Sequence, residues 1–446
     1  MKSEKRLSLV TVISYAFSQG SGYQIMGAIV GSYFMVFLTD TFGVPAYAVS
    51  VIMLIASIWD AINDPIMGGI ADHTHTRFGK YRPYFLWVPT LLTIVTIAMF
   101  ASPNLSTTGK IVWTAVFYIC YGMLRTAIEI PCGALINAVT DQESERTRMI
   151  SAYTVVMGIF TTIATTFALT FVSFFGGGNT AKGYMIIMLI AGILMMISCW
   201  ICFASTEEKY IPKAEPKGLI EGFRDLLSVK GFVPVVVIWL ASFIAYQTMM
   251  ASAVYYVMYV LCRPDQISLY MLILSLGGVI GVAFGLSVMF RIFKDPIRTY
   301  QVAQIIVLIC NVICFVQRNN MTVVFIFSGI ATFFATMSMA QNSILMTEMT
   351  DLVYYEKNSL MNGTIAAIKG FSNKCGIAVS SALVSFILGA TGYVAGAIGQ
   401  EPAATVLGIS FARFLVPAIM AVIVLIGIKF YPITNEMRAR LHQPQA

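Results

Sequence analysis

Cutting the chain at its charged residues leaves twelve long stretches in which polar positions are rare. They lie near 9–38, 46–70, 83–103, 111–138, 150–174, 184–205, 232–261, 267–290, 299–316, 321–347, 361–391 and 404–428. Each is long enough for a helix to cross a hydrocarbon layer of roughly 30 Å. Backbone N–H and C=O groups find no water at that depth and must bond internally, which leaves helices or a closed barrel. Barrel strands would show segments of about 10 residues with strict alternation, and the chain has no such pattern. The pattern predicts an all-α polytopic membrane protein with twelve transmembrane helices.

The polar stretches between the spans predict their orientation. Placing the N-terminus inside puts twenty of the 28 basic residues in inner segments and leaves Lys110, Lys182, Arg263 and Arg318 in outer loops. That bias predicts cytoplasmic termini and an even number of spans. The first apolar run is too long for the core of a cleavable signal, so a multi-pass protein of the plasma (inner) membrane is expected. The longest polar stretch, Thr206 to Lys230, divides the chain six plus six. It gives an N-terminal half over 1–205, a cytoplasmic linker over 206–230 and a C-terminal half over 231–446. Two six-helix halves with an inner linker is the layout of major facilitator transporters, whose substrate sites lie near mid-membrane.

Composition narrows the function classes. With 58% hydrophobic and 11% charged residues, the chain is not an ordinary solvated domain, which is about a quarter charged. The net charge of +7 raises the question of nucleic acid, but the bases sit in short loops and form no basic face. No nucleic-acid partner is expected. The eight cysteines lie in or at the ends of apolar runs and read as small hydrophobes. The three histidines, His73, His75 and His442, lie in a polar loop and the tail, so no cofactor is expected.

Seven charges fall inside the spans: Asp60 and Asp64, Arg125 and Glu129, Lys369 and Lys374, and Arg413. Burying each costs about 3 kcal/mol on the insertion scale, so each is expected to face a cavity or a partner. Asp60 and Asp64 stand at i and i+4, on one face of the second helix. Two carboxylates that close repel when ionised, so a proton or one small cation belongs between them. Asn63 and a hydroxyl from a neighbouring helix would complete an oxygen shell. The alternative is that both acids pair with buried bases and lock helices together. Arg125 and Glu129 share that spacing ahead of Pro131, where the helix is expected to break. They either pair with each other or reach a cavity. There the carboxylate would accept sugar hydroxyls and the guanidinium would offer a fork to hydroxyls or a carboxylate. Arg413 either snorkels or bonds between helices. Tyr23, Gln24, Gln19, Tyr246, Gln247 and Gln341 lie in otherwise apolar spans, as sugar-binding amides and aromatics do.

The run Trp59-Asp60-Ala61-Ile62-Asn63-Asp64-Pro65-Ile66-Met67-Gly68, continuing to Asp72 and through Arg77-Phe78-Gly79-Lys80-Tyr81-Arg82-Pro83, resembles the glycoside–pentoside–hexuronide:cation symporters. This is the melibiose-permease-like family of the major facilitator superfamily. Glu129-Ile130-Pro131 and Phe371-Ser372-Asn373-Lys374-Cys375-Gly376 extend the resemblance into the fourth and eleventh spans. Asp351-Leu352-Val353 is placed at the opening of the ten–eleven loop. The resemblance implies that Asp60, Asp64, Asn63 and Thr126 hold the coupling cation, which is sodium, lithium or a proton. It implies that Glu129 holds sugar, that Lys374 links the halves, and that Asp72, Arg77 and Arg82 belong to a gating loop. Three positions depart from the family pattern: Gln24 stands where sugar-binding members carry aspartate, Thr154 where many carry arginine, and Gly133 where tryptophan stacks on sugar. With Arg125 and Lys369 adding bases, these departures tilt the expected substrate toward an acidic sugar.

The reading is therefore a symporter and not an enzyme. Cation binds at Asp60 and Asp64. Sugar binds among Glu129, Arg125, Gln24, Tyr23, Lys369 and Lys374. The expected partners are a small sugar (glycoside, pentoside or hexuronide), a monovalent cation and the bilayer, with a monomer as working unit. A same-fold exporter or lipid transporter is the alternative. An intramembrane enzyme would need a nucleophile–base pair or metal triad within the spans, and the sequence shows neither.

Overall fold

The computed structural model describes residues 6–140, 142–210, 226, 228–229, 231–282, 295–357, 362–433 and 437. Every regular element among them is helical. Ten helices are long and apolar enough to cross a membrane, and two shorter apolar helices, Tyr84–Met99 and Pro264–Ile280, accompany them. The chain divides into two compact units, Met1–Lys213 and Ala214–Ala446.

The N-terminal unit holds α1 (Leu9–Gly20), α2 (Gly22–Val36), α3 (Ala46–His73), α4 (Tyr84–Met99), α5 (Thr107–Val139), α6 (Glu143–Gly176) and α7 (Thr180–Ser205). The first apolar run is thus two helices, broken at Ser21. The break seats Gly22 so close to α7 that a Cβ there would lie 1.9 Å from the Ala191 carbonyl oxygen. Small residues permit such approaches between membrane helices. α3 packs on α5, α4 on α5 and α7, and α1 on α6 and α7.

The outside of α3 shows what surrounds the unit. Ile58, Ile62, Ile66 and Ile70 are 56%, 50%, 51% and 52% exposed. Spaced by four, they form one apolar stripe, which suits lipid rather than water. Asp60, Asn63 and Asp64 lie on the opposite face, turned into the unit, with both aspartates half-buried.

α5 continues through Pro131 to Val139, and the expected break is absent. A membrane helix tolerates proline when neighbours satisfy the backbone around it. The carbonyl that Pro131 leaves without its helical N–H is that of Ala127. Close by, the Gln19 amide donates to the Ile128 carbonyl at 3.2 Å and the Tyr15 hydroxyl to the Cys132 carbonyl at 3.3 Å, which fasten α1 to this stretch of α5.

The C-terminal unit holds α8 (Phe232–Tyr255), α9 (Ile267–Ile280), α10 (Pro296–Val316), α11 (Met321–Lys357), α12 (Asn362–Ala390), α13 (Ala403–Ser410) and α14 (Val416–Lys429). α8 lies at its centre against α12 and α14. Trp239, Phe243, Tyr300, Leu345, Met349, Val353 and Ile428 form its main apolar core. A polar thread crosses it: the Ser242 and Tyr300 hydroxyls are 2.8 Å apart, and Tyr300 donates to Asn342 Oδ1 at 2.8 Å. α11 runs past its apolar stretch to Lys357, so Asp351 lies inside a helix and not at the opening of a loop.

Candidate functional site

Two groups of the charged residues come together in the N-terminal unit, both on α5. The first joins α5 to α3. Thr126 Oγ1 donates to Asp64 Oδ1 at 2.9 Å. One turn earlier, a Cβ on Gly122 would lie 2.3 Å from Asp60 Oδ1. The i,i+4 step of the aspartates therefore meets an i,i+4 step on α5, bare backbone opposite Asp60 and a hydroxyl opposite Asp64. Asn63 is buried beside them, and its Nδ2 has no hydrogen-bond partner among the described residues. Two carboxylates, a hydroxyl and an amide are hard oxygen donors of the kind that suit a small monovalent or divalent cation and not a soft metal.

The second group joins α5 to α2. The Tyr23 hydroxyl donates to Glu129 Oε2 at 2.9 Å and accepts from Arg125 Nε at 2.9 Å. Arg125 Nη1 donates to the Tyr121 hydroxyl at 3.3 Å. The guanidinium carbon lies 5.2 Å from the centre of the Tyr23 ring, within the range of a cation–π contact. Arg125 and Glu129 also pair directly at 3.9 Å, with side chains 35% and 51% exposed. The ion pair and an open position therefore coexist: each charge has a partner yet keeps an accessible side. Tyr23 is at the start of α2, immediately after the break at Ser21, which aims its ring at α5. Gln24 is half-buried on the next position and is not joined to this network.

The remaining candidates are spread elsewhere. Lys369 on α12 is half-buried and donates to Ser343 Oγ on α11 at 2.7 Å. Lys374, five residues on, is half-buried on the same helix. Arg413 is fully buried in a π-helical turn over Phe411–Leu415, donates to the Tyr270 hydroxyl at 2.6 Å, and does not snorkel. Arg77 and Arg82 lie in the turn between α3 and α4, where Arg82 Nη2 donates to the Phe203 carbonyl at 2.6 Å. The Asp72 side chain lies outside the described residues. Cys199 and Cys202 stand in a CxxC spacing, which corrects the expectation that no cysteines are so paired, and both are free buried thiols within α7.

Three participants were not anticipated. Gly122 is detectable only by its place four residues before Thr126, matching the step between the aspartates. Tyr121 lies four before Arg125. Glu208 accepts from the backbone N–H groups of Lys80, Tyr81 and Arg82 at 2.7, 2.7 and 2.9 Å. It ties the α3–α4 turn to the segment that leaves α7.

An all-helical fold with apolar outer faces and two ionisable clusters inside one unit is that of a polytopic membrane protein. Comparison with known proteins makes the class specific. A family profile described as MFS/sugar transport protein matches residues 16–435. The chain is 28% identical over 432 residues to the isoprimeverose transporter of Lactiplantibacillus pentosus, covering 94% of this chain and 88% of the relative. It is 25% identical over 448 residues to the glucuronide carrier protein homolog of Escherichia coli strain K12, covering 97% and 94%. Its fold matches a bacterial homolog of the human lysosomal transporter Spinster, with a TM-score of 0.69 at 13% identity over 98% of both chains. The chain belongs to the sugar-transport family of the major facilitator superfamily, of the glycoside–pentoside–hexuronide:cation symporter type. It is a multi-pass membrane transporter of a small-molecule substrate and not an enzyme.

Proposed function

We propose that the protein is a secondary active symporter that couples uptake of a sugar to entry of sodium, lithium or a proton by alternating access. The two shorter apolar helices are counted with the ten long ones. This reading has twelve spans in two six-helix halves, cytoplasmic termini, and residence in the plasma membrane. The observation that carries it is the doubled register of α3 on α5. Asp60 and Asp64 face inward beside Asn63 and Thr126, where a cation relieves their repulsion.

Sugar binds on the adjoining face of α5, beside Glu129 and Arg125. Glu129 accepts sugar hydroxyls while Tyr23 holds it, and Arg125 directs its guanidinium to a hydroxyl or a carboxylate. The relatives named for isoprimeverose and glucuronide support a glycoside, pentoside or hexuronide. Arg125 favours the acidic member of that group. Lys369 and Lys374 are kept as further substrate-binding candidates, Gln24 is assigned to the rim of the site, and Asp72, Arg77 and Arg82 to gating. The working unit is taken as a monomer.

The decisive experiment is uptake in proteoliposomes with an imposed sodium or proton gradient. Asp60→Cys and Asp64→Asn should abolish concentrative uptake while sugar exchange without a gradient persists. Uptake against a gradient that survives either change would overturn the cation assignment. Counterflow that ignores both neutral glycosides and uronides, or a gradient that drives solute outward only, would support an exporter instead.

A further inference from the structure

We propose that the corner formed by the α3–α4 turn and the end of α7 is a headgroup site for an anionic phospholipid. This goes beyond the transport reading, although Arg77 and Arg82 are also residues assigned above to gating.

The corner is a stacked ladder of cations and rings. The Arg77 guanidinium carbon lies 4.6 Å above the Phe78 ring. Phe78 meets Phe203 edge-on at 5.5 Å, and the Arg82 guanidinium carbon lies 4.6 Å above Phe203. Arg82 spends its donors on neutral carbonyls, those of Phe203 and Phe78. Arg77 makes no ion pair among the described residues and is exposed. The acid that touches this turn, Glu208, spends both oxygens on three backbone N–H groups and reaches neither guanidinium. Two stacked guanidiniums therefore present positive charge that no carboxylate among the described residues neutralises. Planar guanidinium groups match phosphate oxygens in pairs.

The corner also sits where a membrane surface belongs. Trp200 is 45% exposed and donates its indole N–H to the Leu86 carbonyl at 3.2 Å, and Trp87, the residue after Leu86, is 72% exposed. Exposed tryptophans with an apolar body and a bonded polar edge mark the headgroup level of membrane proteins. Phe78, 37% exposed, carries Arg77 on its ring and meets Phe203 with its edge. Phosphate would meet Arg77 and Arg82 while the acyl chain lies along Trp200 and Ile201. A soluble phosphate would gain only the first contact, so the ligand is a lipid.

The test uses the purified full chain in neutral detergent, titrated with dioleoyl phosphatidylglycerol and followed by native mass spectrometry and melting temperature. Wild type should retain the lipid saturably, with a melting temperature that rises to a plateau and an effect that weakens with salt. Arg77→Gln removes one exposed cation that makes no ion pair among the described residues and stacks only on Phe78, and should weaken phosphatidylglycerol binding about five-fold. Arg77→Lys, which keeps the charge, should recover most of it. Equal binding by R77Q and wild type, or equal retention of phosphatidylcholine, would overturn the proposal. Displacement by millimolar glycerol 3-phosphate would also overturn it, because the site would then take soluble phosphates. None of these readouts measures transport, so failure here leaves the symporter reading standing, and the converse holds.

Discussion

Adding one methyl group at Gly122 would bring a carbon within 2.3 Å of Asp60 Oδ1, closer than real contacts allow. Either the carboxylate swings away or α3 and α5 separate, and overpacking of this kind costs roughly 1–3 kcal/mol. The proposed cation site is where that cost falls. Gly122→Ala should weaken sodium or lithium binding about ten-fold or more, read by calorimetry on the purified protein. Gly31→Ala on α2, where nothing lies within 4 Å, should leave binding unchanged. Equal affinities for both variants would show that Asp60 is not a ligand. The charged half of this arrangement was legible in the sequence, because two aspartates a turn apart in an apolar run have no inexpensive structural excuse. The glycine was not, since a residue without a side chain gives no signal in a hydrophobic pattern. Arg413 illustrates the opposite limit. Its cost was visible, but whether it reached for the interface or turned inward to Tyr270 depended on packing between distant helices.

At the scale of single elements, the α3–α4 turn owes its shape to a carboxylate that comes from after α7. Gly79 takes φ +110, and the three N–H groups that follow it converge on Glu208. A Cβ on Gly79 would lie 2.7 Å from Glu208 Oε1, so glycine is needed here both for its backbone and for the close approach. Hydrogen bonds to an ionised acceptor contribute about 1.5–3 kcal/mol each. Glu208→Gln keeps the shape but removes the charge. Amide hydrogen exchange at Lys80, Tyr81 and Arg82 should then accelerate about ten-fold or more, while exchange within α4 stays as it was. Unchanged protection at those three amides would mean that the turn holds itself. Nothing in the sequence pointed to this latch, for Glu208 lies in the polar stretch that hydropathy marks only as a linker. Most helix positions were legible to within a few residues, because span length follows bilayer thickness; α6 begins seven residues before its expected span, α11 runs ten residues past its own, and the end of the expected span 267–290 lies outside the described residues. The breaks were not. Ser21 interrupts the first run and Pro131 fails to interrupt the fourth, since hydropathy carries no information about how neighbouring helices pack at either point.

For the whole molecule, the consequential feature is that both clusters are built on one stretch of α5. Gly122 and Thr126 face α3, while Tyr121, Arg125 and Glu129 face Tyr23 on α2. Thr126 is the next residue after Arg125, so a shift of α5 that tightens the first cluster also moves the second. A rigid helix with two such seats is a physical element on which one ligand can bias the other. Linkage then demands reciprocity: if the cation raises sugar affinity by some factor, sugar raises cation affinity by the same factor. Couplings of this kind typically run about 5- to 150-fold. Calorimetric titration of sugar with and without saturating cation, and of cation with and without saturating sugar, should give two equal ratios. Thr126→Ala removes the hydroxyl that bonds Asp64 without touching Arg125. It should weaken the cation by several-fold and reduce both ratios together, leaving sugar affinity in the absence of cation near the wild-type value. Tyr23→Phe should do the reverse, lowering sugar affinity by loosening Glu129 while the cation binds alone as before. Ratios that differ from each other would mean that the titrations contain a third state. Equal ratios of one would mean that α5 carries two independent sites, and the coupling would have to be sought outside this helix.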